Sequence, residues 1–256
     1  MEAIMVRTDA QGFELDQNDF VKLTKKNAKL AQRKVDQSAK DLDGKKSSKT
    51  RKTLSAIRED DYSKNELYLL IQEKGGNDFS DGFLEIIKKI NDTNSTRLSN
   101  EEQEHFAYYI TSNKSRILKE IKKGNTQLVN ELAAAGTLTK KRYNFSFTSK
   151  FCTYISRYLF NEYDKFTPYD RVIQNILPYY AWAYCKIENI PNFKDKRKYD
   201  EYIELIRKII ARSQKLYGKE GSLSLKEFDR LLWYKYKGLL GEDLIGRETS
   251  LLKAEK

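Results

Sequence analysis

Proline and glycine are scarce in this chain, and their scarcity limits what it can fold into. The 256 residues include 3 Pro and 12 Gly, whereas a protein built from many short strands needs turn residues at regular intervals. Apolar residues recur instead at the spacing of one helix face, as in Phe83, Ile86, Ile87 and Ile90. The pattern predicts an all-α fold, in which only residues 139–147 have the alternation of extended chain.

Polar residues at fixed spacing mark the ends of the predicted helices. Ser63, Ser99 and Ser224 each stand three residues before a Glu and precede an apolar run. In such a capping box, the Ser and Glu side chains each bond a free backbone N–H of the first turn. Gly124 and Gly136 follow two helical stretches, and glycine accepts the left-handed conformation common at helix ends. We expect helices to begin and end at these positions.

Positive charge is concentrated near the N-terminus. The chain has a net charge of +11 and a pI of about 9.3. Residues 21–52 hold twelve Lys and Arg against three Asp, a local balance of +9 that leaves +2 for the rest of the chain. A basic chain of this kind favours a polyanion as its partner. We expect nonspecific contact with nucleic-acid phosphates.

Composition also divides the chain into two parts. Residues 36–56 are rich in Lys, Ser and Asp and contain few large apolar groups, which is typical of a linker. Residues 18–35 have a thin apolar stripe and are compatible with a basic helix. The sequence therefore predicts a basic N-terminal arm, partly mobile, over residues 1–60, and a helical domain over residues 61–256.

Several functional classes are excluded by what the chain lacks. Two cysteines, Cys152 and Cys185, and one histidine cannot form a disulfide framework, a four-cysteine zinc site or an iron–sulfur cluster held by thiolates. We therefore expect no metal and no cofactor. No apolar run approaches about 18 residues and no secretory signal pattern begins the chain. The expected location is the cytoplasm, in association with the nucleoid.

A lysine and an aspartate twenty residues apart carry the chemistry that the sequence points to. Lys150 stands between Phe147 and Phe151, and Asp170 follows Pro168 by two residues and precedes an apolar helical stretch. An ordinary lysine is protonated at neutral pH, but apolar neighbours and a position in the first turn of a helix both favour the nucleophilic amine. A carboxylate at a helix N-terminus can stabilise positive charge on a sugar. Together the two residues can break a glycosidic bond.

These residues resemble the catalytic core of the helix-hairpin-helix DNA glycosylases. Residues 149–152 (SKFC) match the helix that bears the family's nucleophilic lysine, and residues 168–172 (PYDRV) match its Pro-x-Asp-x-x-Val-like start of the next helix. Residues 221–238 resemble the C-terminal segment of bacterial proteins with the 8-oxoguanine DNA glycosylase fold. The resemblance covers roughly residues 140–240. It implies two helical subdomains that flank a cleft, with Lys150 as nucleophile and Asp170 stabilising the charge.

The hairpin of this family is altered here. The usual Leu-Pro-Gly-x-Gly hairpin is replaced by RYNFSF, residues 142–147, so the expected helix-hairpin-helix is degenerate. Glycines allow a hairpin backbone to approach DNA phosphates closely, and without them other donors must contact the phosphates. We expect these contacts from hairpin residues and from the basic arm: Arg142, Ser146, Thr148, Ser149, Lys45, Lys46, Lys49, Arg51 and Lys52.

The resemblance implies a DNA glycosylase with associated lyase activity on abasic (AP) sites. It would excise a damaged or modified base, such as an oxidised purine, through a Schiff base on Lys150. Two alternatives remain open from the sequence. One is a non-catalytic DNA-binding protein on a glycosylase-like scaffold, serving phage defence or a mobile element. The other is a helical protein–protein adaptor. Composition does not define the oligomeric state or the base that is excised.

Overall fold

The protein is all-α, as the sequence predicts. The computed structural model describes residues 20–42, 62–79, 82–94, 96–135 and 143–236. No β-strand occurs in these ranges, and short 3-10 helices lie at Tyr62–Lys64 and Gly218–Gly221. The α-helices described are α1 (Lys25–Leu42), α2 (Glu66–Gly76), α3 (Phe83–Asn94), α4 (Asn100–Ser112), α5 (Lys114–Lys123), α6 (Gln127–Ala135), α7 (Phe145–Phe160), α8 (Arg171–Cys185), α9 (Phe193–Lys196), α10 (Tyr199–Tyr217) and α11 (Leu225–Tyr236).

The chain divides into two compact units that exchange segments along the sequence. Unit 1 comprises Met1–Lys34, Tyr169–Lys196 and Glu201–Lys256, and unit 2 comprises Val35–Pro168 and Arg197–Asp200. Each unit has its own buried core. The described part of the predicted basic arm contributes to both units, since α1 begins in unit 1 and ends in unit 2.

Unit 2 is built around α7. Of the 16 residues of this helix, 13 are buried, because α2, α3, α5 and α6 all pack against it. Phe147 lies 5.0 Å from Phe106 of α4, and Phe151 lies 6.2 Å from Phe83 of α3, measured between ring centroids. A helix that is apolar around most of its circumference is stable only at the centre of a domain. The sequence of α7 therefore fixes its central position.

Unit 1 brings residues from the two ends of the described chain together. The Tyr180 hydroxyl of α8 accepts a bond from the Val21 N–H at 3.0 Å, and the Tyr184 hydroxyl accepts one from the Leu23 N–H at 3.2 Å. Ser213 of α10 donates to the Leu23 carbonyl at 2.5 Å. These bonds satisfy the backbone of a short extended segment, which would be costly to bury without partners. Residues 20–34 are thus part of a packed unit.

The predicted helix ends are largely confirmed. Ser99 and Glu102 form a complete capping box at α4. Ser224 and Glu227 do the same at α11, because the Glu227 N–H donates to Ser224 Oγ at 3.1 Å and the Ser224 N–H to Glu227 Oε2 at 2.8 Å. Gly124 ends α5 in the left-handed conformation, with φ of 79°. Gly136 lies outside the described residues.

Two local predictions are wrong. No capping box forms at Ser63, because Asn65 caps α2 instead: its side-chain oxygen accepts the Tyr68 N–H at 2.9 Å. Asparagine is as good an N-cap as serine, and Asn65 is fully buried, with its amide donating to the Tyr158 hydroxyl. Residues 145–147, predicted to be extended, form the first turn of α7. Their aromatic side chains pack into the core of unit 2, and packing overrides the local alternation.

Candidate active site

Lys150 lies in the second turn of α7, within unit 2. Because α7 begins at Phe145, Lys150 is the sixth residue of the helix rather than part of its first turn. Its side chain is buried, with 6% exposed. The Nζ atom donates to the backbone carbonyl of Asn94 at 3.4 Å. The positive end of the α7 dipole therefore acts on this amine less than the sequence predicts, since the effect falls off beyond the first turn.

Asn94 is the last residue of α3 and bonds two side chains of α7. Its carbonyl accepts from Lys150, and its side-chain oxygen accepts from the Tyr154 hydroxyl at 2.9 Å. The last carbonyls of a helix have no partner within the helix and carry partial negative charge. The C-terminus of α3 is thus a suitable place to hold an ammonium group.

A group of tyrosines continues from Lys150 along the same face of α7. Tyr154 and Tyr158 follow at intervals of four residues, and their rings stack at 5.7 Å. Tyr68 of α2 meets Tyr158 edge to face, also at 5.7 Å, and stacks on Tyr62 at 4.7 Å. We call these residues the tyrosine cluster: Tyr62, Tyr68, Tyr154 and Tyr158. Of this cluster, Tyr154 is linked to Lys150 through Asn94, which accepts a bond from each of them.

Asp170 is the N-cap of α8, in unit 1. Its backbone is extended, and its Oδ1 atom accepts the Ile173 N–H at 3.0 Å. Its Oδ2 atom accepts the indole N–H of Trp233 at 2.9 Å. The sequence prediction of a carboxylate at the start of this helix is confirmed. With one oxygen bonded to the helix and the other to α11, the carboxylate is held in one orientation.

The chain that leads to Asp170 is fixed from both sides. Within unit 2, the Tyr199 hydroxyl accepts the Thr167 N–H at 2.9 Å and donates to the Thr167 carbonyl at 2.6 Å. Within unit 1, the ring of Tyr169 lies 5.0 Å from that of Tyr202 in an edge-to-face contact. Tyr169 is buried, and burial raises the pKa of its hydroxyl well above the ordinary value. The residues before Asp170 therefore have little freedom.

The predicted phosphate-contact residues fall into three groups. Thr148 and Ser149 are fully buried and their hydroxyls donate to backbone carbonyls, Ser149 to Ser146 at 3.1 Å. Ser146 is half-buried at the start of α7. The remaining residues lie outside the described part of the chain: Arg142, Lys45, Lys46, Lys49, Arg51 and Lys52. Phosphate contact remains a prediction for all of them.

Both cysteine thiols have a raised pKa in the folded protein. Cys152 is fully buried in α7, and burial raises the pKa of its thiol far above the ordinary value. Burial also raises the pKa of the half-buried Cys185 thiol, against the opposing effect of Arg212 and Lys208. A thiol whose pKa is raised is a poor nucleophile. Among the described residues, no cluster of His, Cys, Asp and Glu could hold a metal ion.

The length and hydropathy of a helix decide whether it could span a membrane. None of the helices in the described ranges is both long and apolar enough to cross a membrane.

Comparison with known protein families gives a match to the part of the chain that contains Lys150. A family model named HI_0787_N, described as an N-terminal domain, matches residues 45–159. The matched segment is less than half of the chain. It includes α2 to α6 and all but the last residue of α7, and so covers most of unit 2. Asp170 and Trp233 lie beyond it. No curated protein and no solved structure shows significant similarity to the chain.

Sequence reasoning missed two residues of the candidate site. Asn94 carries no motif, and its bonds to Lys150 and Tyr154 bridge 56 and 60 residues of sequence. Trp233 lies in the segment that resembles the glycosylase C-terminus, residues 221–238, and no local motif marks it as a partner of Asp170. Both segments that resemble the glycosylases, residues 168–172 and 221–238, occur in this chain. Their joint presence is the signal that could have paired Trp233 with Asp170.

Proposed function

We propose that the protein is a DNA glycosylase with associated AP lyase activity, acting on a damaged or modified base such as an oxidised purine. The observation that carries this proposal is the bond between Trp233 and Asp170. It joins two of the sequence segments that resemble the glycosylases, residues 168–172 and 221–238. The bond is made by the carboxylate of Asp170, to which the resemblance assigns a catalytic role. A chance resemblance gives no reason for these segments to meet at that side chain.

The proposed reaction begins at Lys150. Its amine, after losing a proton to solvent, attacks the anomeric carbon of the nucleotide. A carbon–nitrogen bond to Lys150 forms as the glycosidic bond breaks, and the base leaves with the bonding electrons and takes up a proton. Asp170 stabilises the positive charge that develops on the sugar. Burial of the Lys150 side chain favours the neutral amine, whereas its bond to the Asn94 carbonyl favours the ammonium form.

The lyase step follows from the same covalent bond. Opening of the sugar ring converts the carbon–nitrogen bond to an imine, the Schiff base. Loss of a proton from C2′ then expels the phosphate at C3′ with the electrons of the C3′–oxygen bond, which cuts the strand. Water finally releases the sugar fragment from Lys150.

A second function is favoured by a specific observation. Lys150 is 6% exposed and already bonded to Asn94, and the Thr148 and Ser149 hydroxyls donate to carbonyls rather than to solvent. This arrangement is also that of a structural lysine in a protein that binds DNA without cutting it. Such a protein would serve phage defence or a mobile element on a glycosylase-like scaffold.

Borohydride trapping separates the two functions. The protein is incubated with duplexes that carry 8-oxoguanine or an abasic site, and borohydride reduces any lysine–sugar imine to a stable adduct. We expect an adduct with the wild type and none with Lys150→Gln. Lys119→Gln, which alters an exposed lysine of α5 in the same unit, is the matched control and should still form the adduct.

The fold of each variant is checked by its melting temperature before the adduct is interpreted. An adduct that persists in a folded Lys150→Gln variant refutes the role of Lys150. Absence of an adduct in the wild type, together with salt-sensitive DNA binding, refutes Schiff-base chemistry on these substrates and supports the binding protein.

A further inference from the structure

Among the described residues, the excess of positive charge lies in unit 1. These residues include 18 Lys and Arg against 8 Asp and Glu in unit 1, a net charge of +10, and 16 against 15 in unit 2, a net charge of +1. Over the full ranges of the two units the sequence gives a closer balance, +6 for unit 1 and +5 for unit 2. The excess is therefore a property of the described part of unit 1, which has few acidic side chains.

Two exposed rows of cations account for much of this excess. Lys26, Lys29 and Arg33 lie on α1, and a second row on α10 consists of Lys208, Arg212 and Lys215; all six side chains are exposed. At about 100° per residue, each row occupies roughly 60° of its helix circumference. The opposite faces are buried, through Ala28, Ala31, Ile206 and Ile209. We call these six residues the basic surface.

Contacts within unit 1 bring the ends of α1 and α10 together. Ser213 of α10 donates to the Leu23 carbonyl at 2.5 Å, just before α1 begins. Glu220, after the end of α10, accepts the Lys26 N–H at 3.1 Å. The ammonium of Lys22 lies 5.9 Å from the centre of the Tyr217 ring. The first turn of α1, which holds Lys26, therefore lies close to the C-terminal end of α10, which holds Lys215.

Helix stability does not explain where these cations stand. A cation in the first turn opposes the helix dipole, yet α1 has no acidic residue in its first turn and has Lys26 there. A cation in the last turn is favourable, which accounts for Lys215 near the end of α10. It does not account for Lys208 and Arg212, which precede that turn. The helix dipole therefore explains Lys215 alone among these four cations.

Ion pairing distinguishes the basic surface from five cations of unit 2. In unit 2, Lys74, Lys89, Lys114, Arg116 and Lys123 each form an ion pair with a carboxylate. None of the six residues of the basic surface forms an ion pair with another described residue. Their charges are therefore available to an external anion.

We propose that the basic surface binds the phosphate backbone of duplex DNA, with the identity of the nucleic acid resting on the function proposed above. From its first to its last cation, each row extends over seven residue steps of 1.5 Å, about 10.5 Å of helix. One DNA strand presents a phosphate about every 3.4 Å along the axis, so three phosphates occupy the length over which each row presents three cations. The backbone N–H of Lys26 already donates to one anionic oxygen, Oε2 of Glu220.

Salt dependence of binding tests the proposal. The affinity of the full chain for an undamaged, fluorescein-labelled 20-bp duplex is measured by anisotropy between 50 and 300 mM NaCl. One variant carries Lys208→Gln, Arg212→Gln and Lys215→Gln; a second carries Lys26→Gln, Lys29→Gln and Arg33→Gln. Since each lost phosphate contact lowers the slope of log affinity against log salt by about 0.9, each variant should lower it by about 2 to 3. The affinity at 100 mM NaCl should fall by about tenfold or more.

A charge-matched control addresses net charge alone. Lys88, Lys119 and Lys122 are exposed lysines of unit 2, and replacing all three with Gln removes the same charge. For this variant, the slope of log affinity against log salt should differ from the wild-type slope by less than about 0.9, the change expected for one phosphate contact. Equal losses in the control and the test variants would show a general charge effect and overturn the proposal. So would unchanged slopes in both test variants, or wild-type binding to phosphatidylserine vesicles without binding to DNA.

The result is distinguishable from the outcome for the enzymatic function. Salt-dependent binding that requires the basic surface, without any borohydride adduct, would sustain this surface and refute the glycosylase. An adduct formed at saturating DNA, with salt slopes unaffected by the six substitutions, would do the reverse.

Discussion

The indole N–H of Trp233 donates to Asp170 Oδ2 across 2.9 Å, so α11 holds the carboxylate that caps α8. A hydrogen bond to a charged group contributes about 1.5–3 kcal/mol when buried, and less at a half-buried site such as this one. We expect Trp233→Phe to lower the free energy of unfolding by about 1–2 kcal/mol, measured by urea denaturation. Trp182→Phe, at another half-buried tryptophan of unit 1, should cost less. Equal losses would contradict the importance of the bond.

Asp170 itself allows the cap to be separated from the charge. Asparagine caps helices as well as aspartate does, but its amide nitrogen cannot accept the Trp233 N–H, so Asp170→Asn should cost about 1–2 kcal/mol of unfolding free energy, as Trp233→Phe does. Asp170→Ala removes both acceptors and should cost about 2 kcal/mol. If the proposed chemistry is correct, both variants lose glycosylase activity. A stable Asp170→Asn with full activity would remove the carboxylate from the mechanism.

Gly221 stands where a side chain cannot be accommodated. A Cβ atom there would lie 2.1 Å from the backbone oxygen of Ser213 and 2.4 Å from its carbonyl carbon. Backbone cannot rotate away as a flexible side chain can, so Gly221→Ala should destabilise the protein by about 3 kcal/mol. The contrasting variant is Gly76→Ala, where nothing lies within 4 Å of the added Cβ. Because alanine is the better helix former, it should raise stability by about 0.5–1 kcal/mol. Thermal denaturation measures both, and similar shifts would contradict the packing described.

Tyr154 tests the contact between α7 and the end of α3. Tyr154→Phe removes the hydroxyl that donates to Asn94 Oδ1 at 2.9 Å, which should cost about 1 kcal/mol in a urea titration. Tyr108→Phe removes a hydroxyl from a side chain that is 75% exposed and should be neutral. If Tyr154 also positions Lys150 through Asn94, adduct formation should slow in Tyr154→Phe while DNA affinity is unchanged.

The Arg116–Glu131 pair makes a small part of the stability dependent on pH. The bond from Arg116 lowers the pKa of the Glu131 carboxyl below its ordinary value. A carboxyl whose pKa is lowered by folding contributes stability above its unfolded pKa, and the contribution is lost as pH falls through the folded pKa. Both side chains are largely exposed, so Arg116→Gln should cost only about 0.5 kcal/mol at pH 7. That difference should shrink as the pH falls through the folded pKa of Glu131; a difference independent of pH in the acid range would contradict the assignment.

Local features of the sequence predicted local features of the fold. The all-α class, the Ser99 and Ser224 caps and the end of α5 at Gly124 depend on residues within a few positions of one another, and all are confirmed. The failure at Ser63 has a physical cause, since Asn65 is an equally good N-cap and its amide also bonds the Tyr158 hydroxyl, 93 residues away. Propensity cannot register such a contact.

The candidate site shows the same limit more strongly. The position of Asp170 at a helix N-terminus could be predicted, because Pro168 and the following apolar run define the boundary. The burial of Lys150 and its bond to Asn94 depend on how α3 packs on α7, which no local pattern specifies. The same is true of the segment exchange that places residues 20–34 in a unit with residues 169–196.

The bond between Val21 and Tyr180 joins residues 159 positions apart, and this separation has a consequence during synthesis on the ribosome. The described residues between 62 and 160 have partners within that range, such as Asn65 and Tyr158, which are 93 positions apart, and can pack once α7 has emerged. Residues 20–34 are made early but must wait until α11 is complete, about 200 residues later. At about 5–20 residues per second, that wait lasts roughly 10–40 s. Throughout it a strongly basic, half-apolar segment is without its native partners and is available to chaperones or to nascent-chain proteases.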